Sequence, residues 1–225
     1  MPIPLKEAFD LYAEAFGKHP LDEPDSERRG FLTSLYRYCE MLPRPCRVVE
    51  IGTYRGCSAA IMACALRGTG SQIICIDPVF ETGERWCADS CPEKRVRYAS
   101  ELRNVVNRWS RMGVSHMISV IPTDSASALW RWDGSPIDLV LVDGEHSREA
   151  VTVDSGWSKF VRPGGYVAYD DWIEEVRSAA MEYFKDKPEW ELLYQSTDKP
   201  PDEHPQWAIT LYQRRLNGQT QLSRT

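Results

Sequence analysis

Apolar positions follow one period near the start of the chain and another beyond it. Over Leu5–Phe16 they fall at Leu5, Ala8, Phe9, Tyr12, Ala13 and Phe16, the spacing of one helix face, and Gly17 stops the run. The turn-rich connector Pro20–Pro24 leads to Ser26. This residue is placed to cap a second helix through Phe31, Leu35 and Tyr38 to about Leu42, which Pro43 and Pro45 end. From Arg47 onward, short apolar runs alternate with helical patterns. Strands are predicted at Arg47–Ile51, Gln72–Ile76, Met117–Ile121, Ile137–Val142, Tyr166–Tyr169, Trp190–Gln195 and Trp207–Gln213. Helices are predicted at Ser58–Leu66, Glu93–Met112, Ala126–Trp130, Glu149–Phe160 and Ile173–Phe184. Thr82–Pro92 reads as a loop and Pro163-Gly164-Gly165 as a turn. Apolar strands alternating with helices indicate an α/β fold, a mostly parallel sheet covered on both faces. The last two strands, joined by a polar loop, suggest a hairpin-like end to it.

Composition supports that picture. The chain has 225 residues and is 42% hydrophobic, enough for one α/β domain with a sizeable core. No linker divides it. The expected organisation is a single domain over 1–225, with a helical extension over 1–45, a core over 46–213 and a polar tail over 214–225. The net charge of -6 argues against a nucleic-acid partner and against an anionic membrane surface. No apolar run approaches the roughly 20 residues of a membrane span, and Met1–Lys6 does not open like a signal peptide. The seven cysteines, several within apolar runs, read as buried thiols of a reducing compartment, so a cytoplasmic location is expected.

The most informative segment is Val48-Val49-Glu50-Ile51-Gly52-Thr53-Tyr54-Arg55-Gly56-Cys57-Ser58, a strand entering a glycine turn and then a helix. Glycine permits a sharp turn and close ligand approach, and the helix start offers free N–H groups to an anion. Asp77 ends the next strand, where an acidic residue can bind ribose hydroxyls. The spacing is not the G-x-G-x-x-G of dinucleotide sites; the middle glycine is missing, which disfavours a nicotinamide cofactor. The segment resembles the first motif of class I S-adenosylmethionine-dependent methyltransferases, with an acidic residue (Glu50) ahead of the turn. The resemblance implies a Rossmann-like, doubly wound, seven-stranded sheet with a late antiparallel strand. It also implies a donor seat built by Glu50, Gly52, Thr53, Tyr54, Gly56, Ser58 and Asp77. After the third strand, Asp124 and Ser125 would line the adenine; the alternative for Asp124 is a helix cap.

Three aspartates stand at the carboxyl ends of later strands, where ligands bind in open α/β sheets: Asp143, Asp170 and Asp171. Like charges so placed repel unless a cation intervenes, and a hard divalent ion such as Mg2+ suits oxygen ligands. Capping of the following helices is the alternative. Asp143-Gly144-Glu145-His146 and Asp170-Asp171 resemble the metal-dependent small-molecule O-methyltransferases, chiefly the macrocin-type sugar O-methyltransferases and their cephalosporin-hydroxylase-like relatives. The glycine turn is similar to that of catechol O-methyltransferases, which have Asp-Asn where this chain has Asp170-Asp171. The likeness covers Arg47–Trp172. It implies Asp143, Asp170 and Asp171 as metal ligands, with Asp143 also beside the donor. His146 stands where catechol-type enzymes place a lysine base, and histidine suits proton transfer near neutral pH; it could instead orient Asp143. Trp172 follows the ligands and is the candidate acceptor contact, although most such tryptophans simply pack.

The expected activity is therefore Mg2+-dependent O-methylation of a sugar, catechol-like or other vicinal diol on a small molecule or glycan, in natural-product biosynthesis. Asp143 or His146 would take the hydroxyl proton. The alternatives are a metal-independent N- or S-methyltransferase, a nicotinamide-dependent oxidoreductase and a non-catalytic binding domain. The N-terminal helices would cover the donor or form a homo-oligomer contact.

Overall fold

The computed structural model describes residues 1–17, 26–78, 101–194 and 209–216. Helices α1 (Leu5–Phe16) and α2 (Ser26–Met41) precede strand β1 (Arg47–Ile51). Then follow α3 (Cys57–Leu66), β2 (Gln72–Ile76), α4 (Glu101–Arg111), β3 (Ile118–Ile121), α5 (Ser125–Arg131), β4 (Ile137–Val142) and α6 (Arg148–Ser155). The chain closes with β5 (Val161–Tyr169), α7 (Glu174–Phe184), β6 (Trp190–Tyr194) and β7 (Thr210–Arg214). The strands form one seven-stranded sheet in the order β3-β2-β1-β4-β5-β7-β6. Only β7 runs antiparallel to its neighbours, wedged between β5 and β6. This is the α/β, Rossmann-like architecture expected, late antiparallel strand included.

The order reverses beside β1: the chain moves outward through β2 and β3, then crosses back to β4. That switch point opens a crevice at the carboxyl ends of β1 and β4, where ligands bind in such sheets. One core lies beneath α1 to α4 and includes Phe9, Tyr12, Leu35, Ile61 and Trp109. The other lies beneath α5 to α7 and includes Trp157, Tyr169, Trp172 and Phe184. Helix α3 is buried on every side because it is apolar all round, packed against α1 and α2 as well as the sheet. Strand β4 is wholly buried, Asp138 included. The Asp138 carboxylate accepts from the Arg47 backbone N–H at 2.6 Å and pairs with the Arg162 guanidinium, which satisfies its charge.

Some boundaries differ from expectation. Pro163-Gly164-Gly165 is not a free turn but a bulge within β5. Ile137 pairs with Val161 and Leu139 with Tyr166, so a surplus of β5 residues loops out between two paired positions. Gly164 takes φ +83, and a Cβ on Gly165 would stand 2.8 Å from the Asp138 carbonyl oxygen, so both positions suit glycine. The helical stretch after Glu149 is α6 followed by a 3-10 turn over Gly156–Phe160. The third strand starts one residue late, because Met117 closes a short 3-10 turn. The connector Pro20–Pro24, the loop Thr82–Pro92, the first part of the helix after it, the segment Ser196–Pro205 and the chain beyond Leu216 lie outside the described residues.

Candidate active site

The turn after β1 is held by backbone bonds to both neighbouring strands. The Gly52 N–H donates to the Ile76 carbonyl at 3.0 Å, and the Asp143 N–H donates to the Ile51 carbonyl at 2.9 Å. Gly52, Tyr54 and Gly56 all have positive φ, at +87, +46 and +73. A Cβ on Gly52 would lie 1.9 Å from the Asp143 carbonyl oxygen. The glycine therefore sets how closely this turn approaches the turn that carries Asp143. Asp77, buried at the end of β2, accepts from the Tyr54 backbone N–H at 2.7 Å. One carboxylate thus fixes the turn. Glu50 is fully buried, and desolvation pushes its carboxyl above the usual range, countered by the Ser58, Thr53 and Cys75 side chains. Where the turn seats the methyl donor, as the resemblance implies, Asp77→Ala should weaken S-adenosylhomocysteine binding about ten-fold or more, by loss of a charge-assisted bond to the turn. Calorimetric titration measures this.

Helix α4 supplies a support that the sequence reading missed. Trp109, buried, donates its indole N–H to the Gly56 carbonyl at 2.9 Å, and Arg108 donates to the Arg55 carbonyl at 3.4 Å. A Cβ on Gly56 would fall 2.7 Å from the Trp109 ring nitrogen. Leu102, Val105, Trp109 and Met112 recur at helical spacing and mark an inward face. Nothing in that spacing says the face ends against the glycine turn.

Beyond β3, Asp124 caps α5: its Oδ1 accepts from the Ser127 N–H at 2.8 Å, and that bonding holds its carboxyl below the usual range. The cap foreseen as an alternative is thus formed. Ser125 follows, and its Oγ accepts the Trp157 indole N–H at 2.9 Å.

The carboxyl ends of β4 and β5 bring the acidic residues together. One potential ligand atom from each of Asp143, His146 and Asp171 lies within 4.8 Å of the other two. His146 Nε2 is 3.3 Å from Asp171 Oδ2. Asp170 stands outside this trio, in contrast to the three-aspartate set expected. It is buried and shares a hydrogen bond with the Asp143 carboxyl. Burial, then the negative charges of Asp170, Glu50 and Asp171, push the Asp143 carboxyl well above its ordinary range. Burial raises Asp171 too, and His146 opposes that. Asp171 has φ +47, a conformation that costs a non-glycine residue energy and clusters at functional sites. Trp172 is 6% exposed and packs beside Tyr169, ring centroids 6.0 Å apart.

Asp154 of α6 is also buried, and desolvation pushes its carboxyl up to about 7, with the Ser125 hydroxyl opposing and Glu145 adding. The folded chain therefore keeps a proton that the unfolded chain releases near pH 4. Its contribution to stability falls as pH rises from about 4 through about 7. Asp154→Asn should flatten that part of a melting-temperature profile measured across this window.

Residues 49–172, more than half of the chain, match the model of a methyltransferase domain family. The chain belongs to that family. Solved structures of similar fold include TomG of Streptomyces achromogenes, an O-methyltransferase involved in tomaymycin synthesis and determined with S-adenosylmethionine. It is 17% identical over 93% of this chain and 90% of that one, with TM-score 0.63. An O-methyltransferase from Bacillus cereus in complex with S-adenosylhomocysteine is 16% identical over 94% and 90%, with TM-score 0.55. The O-methyltransferase NovP is 19% identical over 82% and 79%, with TM-score 0.59.

Proposed function

We propose that this methyltransferase moves a methyl group from S-adenosylmethionine to a hydroxyl of a small molecule or glycan, with a divalent cation, Mg2+ first among them, at Asp143 and Asp171. The observation that carries this reading is the convergence of Asp143, His146 and Asp171 beside the Gly52 turn. The cluster fits a cation. Asp143 and Asp170 are close enough to share a proton, and like charges at that separation call for a proton or a metal between them. Asp143 and Asp171 would hold the ion, with His146 or Asp170 completing the set. A bound ion would lower the pKa of a chelated hydroxyl.

The chain's own residues supply positioning and proton transfer. Gly52, Tyr54 and Gly56 shape the donor turn, and Asp77 fixes it by accepting the Tyr54 N–H. The acceptor O–H bond breaks with its proton passing to His146 Nε2 or to the Asp143 carboxylate. On His146 the new positive charge would face Asp171 Oδ2 at 3.3 Å. The O–C bond then forms as the C–S bond breaks, and S-adenosylhomocysteine leaves. Holding two reactants in line accounts for much of the acceleration in such sites.

A vicinal diol suits bidentate chelation, so a sugar or catechol-like acceptor is favoured. TomG, which acts in tomaymycin synthesis, supports a natural-product acceptor. No helix among the described residues is long and apolar enough to cross a membrane, in keeping with the proposed cytoplasmic location. The deciding experiment is turnover of S-adenosylmethionine against a panel of catechols and sugars with Mg2+ or with EDTA. Product formation that EDTA abolishes and Mg2+ restores is expected. Undiminished turnover in EDTA would replace this reading with metal-independent O-methylation.

A further inference from the structure

The N-terminal helix meets the glycine turn through a side chain of α4. The Arg108 guanidinium carbon stands 5.3 Å from the centre of the Phe16 ring, and its Nη1–H donates to the Arg55 carbonyl at 3.4 Å. Phe16 is the last residue of α1. It stacks on Tyr12 one turn earlier, with ring centroids 4.4 Å apart and planes 14° apart, and Tyr12 is buried in the core. The helix stops directly behind it: Gly17 takes φ +77 and donates its N–H to the Ala13 carbonyl at 2.9 Å. Tyr12, Phe16, Arg108 and Arg55 therefore form one line of contacts from the core beneath α1 to the turn after β1.

The turn at the end of that line is strained. Tyr54 takes φ +46, which costs a non-glycine residue energy and persists only where the surroundings over-determine it. Side chains from outside the turn hold three successive residues. Asp77 accepts the Tyr54 N–H at 2.7 Å, Arg108 reaches the Arg55 carbonyl, and Trp109 donates to the Gly56 carbonyl at 2.9 Å. Asp77 and Trp109 are buried, so each makes a bond that water is poorly placed to make. The Arg108 bond differs. It lies at the exposed edge of the turn, where water would satisfy the Arg55 carbonyl nearly as well. Solvation therefore gives no reason for a guanidinium there. What Arg108 adds is a fixed link to Phe16, whose ring face attracts a cation. A planar guanidinium can lie against a ring and donate at its edge at the same time.

We propose that Arg108 is a positioning residue of the donor turn and that α1 sets its place through Phe16, so that the N-terminal helix tunes the affinity for S-adenosylmethionine. This rests on the reading of the turn as the donor seat. The full chain is titrated with S-adenosylhomocysteine by calorimetry, and KM for S-adenosylmethionine and kcat are measured with the acceptor found in the panel. Arg108→Ala is expected to weaken S-adenosylhomocysteine about five-fold, the scale of one hydrogen bond, and to raise KM by a similar factor. At saturating donor kcat should stay within about two-fold, because the acidic trio is carried by other strands. Phe16→Leu keeps an apolar side chain but removes the ring face, and should weaken binding about three-fold. Phe16→Tyr keeps the ring and should restore wild-type affinity. The double variant of Arg108→Ala and Phe16→Leu should bind no worse than Arg108→Ala alone.

A folded Arg108→Ala protein with wild-type affinity overturns the brace. So does a Phe16→Leu loss that persists undiminished in the Arg108→Ala background, or a fall in kcat that matches the rise in KM. If Arg108→Ala does not fold, Phe16→Leu and Phe16→Tyr decide: equal affinities overturn the proposal, and a loss in the leucine variant alone supports it. The calorimetric comparison needs no acceptor. A wild-type chain that fails to bind S-adenosylhomocysteine overturns the donor-site reading and this brace together. Wild-type binding with indifferent variants overturns the brace alone.

Discussion

Asp171→Ala is expected to lower turnover by about 10³-fold while S-adenosylhomocysteine binding stays within about two-fold. Asp171 belongs to the converging trio and faces His146 Nε2 at 3.3 Å, so its loss removes a proposed cation ligand and the partner of the proposed proton acceptor together. The proposed donor turn is fixed by other residues: Asp77 holds the Tyr54 N–H, and Trp109 holds the Gly56 carbonyl. Donor affinity and turnover should therefore separate, which global misfolding would not produce. The substitution should not destabilise the apo protein. Burial raises the Asp171 carboxyl, so the folded chain tolerates its charge poorly, and alanine relieves that cost. Melting temperature with and without Mg2+ provides the second readout. Mg2+ should stabilise wild type by mass action and leave Asp171→Ala unmoved. Loss of donor affinity equal to the loss of turnover would refute the division of labour between the two ends of the site.

The strands and the glycine turn after the first of them were legible because their signals are local. A short apolar run rich in β-branched residues has few alternatives, and Arg47–Ile51, Gln72–Ile76 and Ile137–Val142 form as read. Asp143, Asp170 and Asp171 could be placed at one crevice because strand ends in a parallel sheet share an edge. Which atoms then converge was not legible. Asp171 and His146 meet through a left-handed backbone at Asp171, and no pattern of residue types encodes that conformation. The burial of Trp172 was not legible for a related reason. Its neighbours in sequence line the crevice, but its ring sits in the core with Tyr169, and the direction of one side chain after a turn follows from packing. Trp109 went unnoticed because its partner, Gly56, lies far away in sequence. The Pro163-Gly164-Gly165 stretch carries ordinary turn chemistry, and only the pairing of Leu139 with Tyr166 shows that the strand resumes through it.

Gly52→Ala should be the most damaging single-methyl substitution in the described chain. The backbone there has φ +87, which costs an L residue roughly 1–2 kcal/mol. The added Cβ would also lie 1.9 Å from the Asp143 carbonyl oxygen, 2.4 Å from its carbon and 2.6 Å from Gly144 Cα. All three are backbone atoms, and no side chain can swing away. Either β1 parts from β4 or the turn holding Asp143 moves, and both strands are central to the sheet. Overpacking of this kind adds about 1–3 kcal/mol, for a total of about 2–5 kcal/mol. In a domain of this size that lowers Tm by roughly 4–20 °C. Gly17→Ala is the control. Its φ is +77, but nothing lies within 4 Å of the new methyl, so only the backbone strain remains. Thermal melts of the two variants separate strain from collision. Equal losses would show that the close approach of Gly52 to Asp143 contributes nothing. The expected difference of about 1–3 kcal/mol, together with loss of S-adenosylhomocysteine binding by the Gly52 variant alone, would tie the donor turn and the acidic cluster to the same contact.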